Sequence, residues 1–342
     1  MRSQPILVHS ALLDAVNRWA TTEHRPYGVA GRRRSIAPTI RHSLAQRDDG
    51  KGVCMENMQR GANMVKIFTD TDANLPAEVI EQLGIAVVPI QVHIDGRTYL
   101  EDVEISPREF LELLPQAREL PTTSQPSPGQ FHKAYAPWVD RGEPIVSIHV
   151  SGALSGTIRS AHTAAEMFPG AEIHLVDSRS VSGGQGLMAV RAAHMAAAGA
   201  DAETIVAALQ PMIERMRLFF LLDTLEYLHK GGRIGGAARF IGTLLNMKPI
   251  LTVDDGAIDA LERQRTRRKA LSRLEELALQ RADDGQDTYL AIVQIDAKDE
   301  AQALKARLHA RLNPVTFLMC EIGPGLSVHS GPGAIGVAIY TE

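Results

Sequence analysis

The stretch best equipped for chemistry is Val150-Ser151-Gly152-Ala153-Leu154-Ser155-Gly156-Thr157. It offers hydroxyls and backbone N–H groups on small residues, and it carries no Lys or Arg. The apolar run Ile145 to Val150 precedes it, and Ile158, Ala161, Ala165 and Phe168 follow at helical spacing. A strand, a small-residue turn and a helix start make an anion site in α/β proteins, because free N–H groups and the helix dipole converge there. Neutral donors alone suit a carboxylate better than a triphosphate. Two other readings compete. Ser155 could be a nucleophile, although the G-x-S-x-G elbow is broken by Ala153 and Thr157 at its glycine positions. The serines could also simply cap the helix.

Few other residues could serve such a site. His329 stands in a Gly- and Pro-rich run from Gly323 to Gly336, where backbone shape and close approach matter. It is the candidate base for an acyl hydrolase or transferase, against the plainer reading of a surface-loop histidine. Arg233 lies in Gly231-Gly232-Arg233-Ile234-Gly235-Gly236, which is too compact for a dinucleotide fingerprint and follows a helix rather than a strand. Arg265, Arg267, Arg268 and Lys269 form a basic run, either a solvated helix start or a docking patch for an acidic partner. No His or Cys spacing suits a metal.

The elements around these residues alternate. Lys66 to Asp70 reads as a first strand, Glu78 to Leu83 as a helix stopped by Gly84, and Ile85 to Ile94 as one long strand turned back at Asp95-Gly96. Ser106-Pro107 and Ser127-Pro128-Gly129-Gln130 start further helices, the second with a capping-box pattern. Between them Pro121 to Pro128 reads as a rigid polar loop. Glu172 to Val176 is a strand, leading through Asp177 to Gly186 into a helix that ends near Ala198. Strands that each cross into a polar turn at their carboxyl end indicate an open parallel sheet with its ligand there. From about Leu218 the texture changes to α+β, with strands at 219–222, 247–253, 289–295, 315–322 and 334–340 and an apolar helix bearing Phe240, Ile241, Leu244 and Leu245. The expected organisation is therefore an α/β domain over 64–215 and an α+β domain over 216–342.

The bulk properties are those of an ordinary globular chain. Its 342 residues are 44% hydrophobic and 22% charged, with a net charge of −4. No apolar run reaches the ~20 residues that span a bilayer, and nothing indicates a nucleic-acid surface. Two distant cysteines, Cys54 and Cys320, fit a reducing cytoplasm. Residues 1–63 do not match the rest: they hold Arg32-Arg33-Arg34 and show no sustained periodicity. They read as a disordered extension, or as sequence upstream of a working start at Met58 or Met64. A transit peptide is disfavoured by Asp14, Glu23, Asp48 and Asp49.

From Met64 onward the chain resembles the DegV family of fatty-acid-binding proteins, including the carriers of bacterial fatty acid kinase. The marks are Thr69-Asp70 with Leu75-Pro76, Thr123-Ser124-Gln125-Pro126-Ser127, Leu154-Ser155-Gly156-Thr157, Asp177-Ser178, Leu225 to Ile234, Lys248 to Leu251, and His329 before Gly331-Pro332-Gly333. Thr71 departs from the usual Ser, and Val150-Ser151-Gly152 from a Ser-Ser-containing sequence. The resemblance implies a Rossmann-like N-terminal domain and one buried long-chain fatty acid with its carboxylate near the domain junction. Thr123, Ser155 and His329 would bind that carboxylate, supported by Ser124, Gly156 and Thr157. Phe240, Ile241 and Leu244 are candidates for the tail tunnel. A separate ATP-dependent kinase would phosphorylate the bound acid, with Arg233 and Arg267 as candidate contacts. The chain itself would be a carrier without catalytic turnover, cofactor or metal. A lipid-sensing regulator that binds another protein is the remaining alternative.

Overall fold

The computed structural model describes residues 64–242, 247–282 and 286–342. Residues 1–63 and Leu244 to Asn246 lie outside these, so the expectations placed on the N-terminal stretch and on Leu244 and Leu245 fall outside the described structure.

The first half alternates as its pattern predicts. β1 (Lys66–Asp70) runs through a short 3-10 turn into α1 (Ala77–Leu83), then come β2 (Ala86–Val88), β3 (Gln91–Ile94) and β4 (Arg97–Leu100). α2 (Pro107–Leu113), β5 (Thr122–Ser124), α3 (Pro128–Val139), β6 (Ile145–His149), α4 (Thr157–Ala165), β7 (Ile173–Asp177), α5 (Gly183–Ala197) and α6 (Ala202–Arg215) follow. Both Ser-Pro starts are complete capping boxes: Ser106 with Glu109 on α2, and Ser127 with Gln130 on α3. The strands β2-β1-β6-β7 form a wholly parallel sheet.

Two expectations in this half are corrected. Ile85 to Ile94 is not one strand. It breaks at Pro89, which has no N–H for a ladder, so β2 stays in the parallel sheet while β3 leaves it. The Pro121 to Pro128 segment is not all loop either. Its Thr122–Ser124 is β5, paired antiparallel to β3 with Val92 opposite Thr123, in a small sheet of order β4-β3-β5. Backbone pairing thus places Thr123.

The second half is β8 (Arg217–Leu221), α7 (Glu226–Lys230), β9 (Lys248–Asp254), β10 (Ala257–Gln264), α8 (Arg267–Leu279), β11 (Thr288–Gln294), α9 (Lys298–Leu312), β12 (Thr316–Glu321), α10 (Pro324–Ser330) and β13 (Ile335–Thr341). The sheet order is β10-β9-β8-β13-β11-β12, antiparallel except for β11 with β12. Here too the sequence reading needs correction. The run holding His329 is a short helix, α10, with Pro324 at its first turn. The segment with Phe240 is a 3-10 helix, Gly235–Phe240, that leaves Ile241 47% exposed.

One continuous core joins the two larger sheets, and α5 is its axis. Leu187, Met188, Ala189 and Ala192 are buried on it, packed in one cluster with Val146 and Ile148 of the parallel sheet and Ala291 and Ala338 of the other. A helix apolar on nearly all sides has to be covered on all sides. At the carboxyl end of the parallel sheet lies a sealed polar chain: Tyr135 OH to Ser147 Oγ at 2.8 Å, Ser147 Oγ to His149 Nε2 at 2.7 Å, and His149 Nδ1 to Asp70 at 2.8 Å. All four residues are at 0% exposure, so this serine–histidine–aspartate array meets no substrate and stiffens β1 against β6. Leu187→Ala should lower stability by about 2–5 kcal/mol, read as a lower urea midpoint with an unchanged slope.

Candidate functional site

A cavity of about 250 Å³ opens at the carboxyl ends of β1 and β6. Thr123, Ser124, Gln125, Leu154, Ser155, Arg233 and His329 line it, together with Asp72. It adjoins a smaller apolar pocket of about 80 Å³, whose walls include Leu218, Phe220, Leu222, Val293 and Ile335. Val181, Leu228, Ile258, Leu326 and His329 belong to both. The polar side chains thus gather in the first pocket, and the second, purely apolar, lies against it across these shared walls.

Each polar group arrives on a different element. Thr123 comes from β5, and its Oγ1 lies 3.1 Å from Nε2 of His329, 206 positions further along the chain. His329 is neutral near pH 7: burial, and then the Arg233 charge, push it down to about 4. Its Nδ1 is buried and has no hydrogen-bond partner among the described residues. Ser155 ends the turn after β6, with its Oγ 2.9 Å from Thr157 Oγ1 and accepting the Thr157 N–H at 3.3 Å. Gln125 lies across that turn, donating to Ser160 Oγ at 3.2 Å. Gly156 lets the Gln125 amide lie close against the turn, since a Cβ there would push that amide aside. Ser124 is spent on support, donating to Gln91 Oε1 at 3.0 Å and accepting from His93 Nε2 at 2.8 Å.

Thr123, Ser155 and His329 therefore share one cavity. No Ser155–His329 hydrogen bond is present among the described residues; the serine meets Thr157 and the histidine meets Thr123. The pairing that a serine hydrolase needs is not formed. The expectation of a cation-free site is corrected as well. The Ser155 turn has no basic residue, but Arg233 reaches it from the second half, its Nε donating to Leu154 O at 3.2 Å and its Nη1 to Gly231 O at 2.8 Å. Arg233 is exposed, so it forms an open wall rather than a sealed counter-ion. Arg267 lies away from the cavity, in ion pairs with Asp223 at 3.1 Å and Glu300 at 2.5 Å. Phe240, with the Arg263 guanidinium 5.1 Å from its ring, and exposed Ile241 line neither cavity.

Two acids that sequence reading passed over belong to this region, Asp72 in the cavity wall and Glu101 behind it. Asp72 sits in the 3-10 turn Thr71–Ala73 after β1. Glu101 follows β4 and is fully buried. Its carboxylate accepts from Thr71 Oγ1 and from the Gly325 N–H, the latter at 2.9 Å. Gly323 and Gly325 leave room for it, because a Cβ at either would press on its oxygens. Glu101 thereby holds the first turn of α10, and with it His329. The available signal was an acid beside a strand end, which one sequence does not distinguish from a surface residue. The described residues contain no His, Cys, Asp or Glu group fit for a metal ion, and no helix among them is long and apolar enough to cross a membrane.

Burial pushes the Glu101 carboxyl up to about 7 from its ordinary 4.5, against the opposing bonds from Thr71 and Gly325. The folded state keeps a proton that the unfolded chain releases. Its contribution to stability is therefore full below about 4.5 and is lost as pH rises through about 7. That window amounts to on the order of 3 kcal/mol. Glu101→Gln should flatten this decline, measured by urea unfolding at pH 5 and pH 8; an undiminished difference between the two would refute it.

Comparison with known proteins agrees with this architecture. A family model described as "uncharacterised protein, DegV family" matches residues 64–342. A DegV domain-containing protein of Deinococcus radiodurans is 37% identical over 278 residues, covering 80% of this chain and 98% of that one. A solved structure from Thermus thermophilus, described as fatty acid binding by a DegV family protein, superposes with a TM-score of 0.77 at 34% identity, covering 82% of this chain and 100% of its own. A stearic acid-binding protein from Eubacterium ventriosum superposes with a TM-score of 0.74 at 27% identity, covering 81% and 98%. With the family match spanning every described residue, the chain belongs to the DegV family.

Proposed function

We propose that this protein binds one long-chain fatty acid, with its carboxylate among Thr123, Ser155 and His329 and its alkyl chain in the apolar pocket beyond them, and presents it to an ATP-dependent fatty acid kinase. The observation that carries this reading is the adjacency of the two pockets, with His329 and Leu326 in the walls of both. A ligand reaching across both would present a hydrogen-bonding head at one end and a hydrocarbon at the other. Fatty acid binding by its structural relatives supports the same ligand class.

Energetics support the division of labour. Burying about fourteen methylenes at about 0.8 kcal/mol each offers on the order of 11 kcal/mol before costs. The tail therefore supplies the affinity, and the head group needs position more than strength. Hydroxyls and a neutral imidazole can orient a carboxylate while leaving one oxygen free to attack a phosphoryl donor. The protein then acts as a carrier, and the phosphoryl-transfer step belongs to the kinase. On the same reading Arg233, exposed beside the head group, is the contact residue nearest the chemistry.

Protein expressed in bacteria should carry a C14 to C18 acid, detected by native mass spectrometry; delipidated protein that takes up no fatty acid would sink the proposal. Ser155→Ala removes one hydrogen bond to the ligand carboxylate, and a bond to a charged group is worth about 1.5–3 kcal/mol net. Lipid retention should weaken by about ten- to a hundredfold, while acyl-phosphate formation with a partner kinase falls further. Equal and complete loss of both would contradict this account.

A further inference from the structure

The carboxylate reading leaves one wall of the cavity unexplained. Asp72 lines it and is only 5% exposed. Its backbone is pinned: its N–H donates to Asp70 Oδ1 at 3.1 Å, its carbonyl accepts the Ser182 N–H at 2.8 Å, and Asn74 closes the turn in the left-handed conformation. Its side chain is not. Among the described residues no hydrogen bond reaches the Asp72 carboxyl oxygens, whereas neighbouring Asp70 accepts four and Glu101 two. The titratable and charged groups facing Asp72 are Asp70 from β1, Glu101 from beyond β4 and Arg233 from the Gly-rich segment, with His329 of α10 across the same cavity.

We propose that Asp72 is a second head-group residue, which enters the complex as a neutral carboxylic acid and donates its proton in a hydrogen bond to the bound carboxylate. Fatty-acid binding at neutral to alkaline pH is then accompanied by uptake of a proton. This rests on the reading of the cavity as a carboxylate site.

The physical reason is crowding of like charge. A ligand carboxylate placed beside an ionised Asp72, with Asp70 and Glu101 behind it, would put several negative charges in one water-poor space against Arg233 alone. Two carboxyl groups in such a space share a proton rather than both ionise. Once shared, the proton turns a repulsion into a short, charge-assisted O–H···O bond. The free protein is already biased this way. Burial, then the charges of Asp70 and Glu101, raise the Asp72 carboxyl well above its ordinary range, and Arg233 only partly offsets them. An arriving anion raises it further. Affinity should therefore be level on the acid side, where Asp72 already holds its proton. It should fall by up to tenfold per pH unit where the free protein has lost that proton and the complex has not.

The test is calorimetric titration of full-length, delipidated protein with oleate from pH 6 to pH 9, in phosphate and in Tris, whose different ionisation heats give the number of protons bound. The native protein should take up as much as one proton per oleate within that range. Asp72→Asn and Asp72→Ser should bind oleate with no such uptake and with a flat affinity profile. Uptake that persists in both variants, or that vanishes instead in Glu101→Gln, would overturn the assignment. So would a native protein that binds oleate without proton uptake, a result that needs no folded variant. Those outcomes leave the carboxylate site standing, whereas failure of the native protein to bind oleate at any pH overturns both.

Discussion

One buried carboxylate ties the site together. Glu101 lies on no regular element, yet it is bonded to Thr71 at the end of the parallel sheet and to the N–H of Gly325 at the start of α10. A carboxyl group placed out of water is tolerated only where its oxygens are satisfied, and here the partners come from opposite ends of the chain. Gly323 and Gly325 are the steric condition for it. Once α10 is held there, His329 comes within reach of Thr123, and the cavity has its polar end.

The polar end is built mostly from neutral donors, with charge kept at its edges. Thr123, Ser155 and the neutral ring of His329 stand inside, while Arg233 is exposed and bound to two backbone carbonyls. A guanidinium in contact with water attracts an anion less strongly than a buried one would. On the proposed reading, this keeps a carboxylate located without quenching it as a nucleophile. The apolar end needs no such tuning, because its contribution grows with area alone. On that reading, affinity and reactivity are separated between two adjoining pockets.

Local signals read well wherever the chain obeys local rules. The capping boxes at Ser106 and Ser127, the strand-turn-helix around Ser155 and the alternation of the first half all follow from short-range preferences. Readings failed where a tertiary demand overrode the local one. Pro89 splits an apolar run because β3 is needed in a different sheet from β2. Thr122–Ser124 looked like loop because its β character comes from pairing with β3 rather than from its own composition. The glycines and prolines near His329 suggested irregular chain, yet Pro324 begins a helix whose close packing against Glu101 requires those glycines.

By itself the sequence determined the α/β class, the strand-turn-helix around Ser155 and, through its motifs, the family resemblance. Each depends on residues close together in the chain, where spacing is a direct statement about geometry. Only the tertiary structure decided which partners that turn would have. Thr123 and His329 meet across 206 positions, Arg233 supplies the cation that the turn lacks, and Asp72 and Glu101 become buried acids instead of surface ones. Burial and long-range contact set those properties, and a chain read in order carries neither.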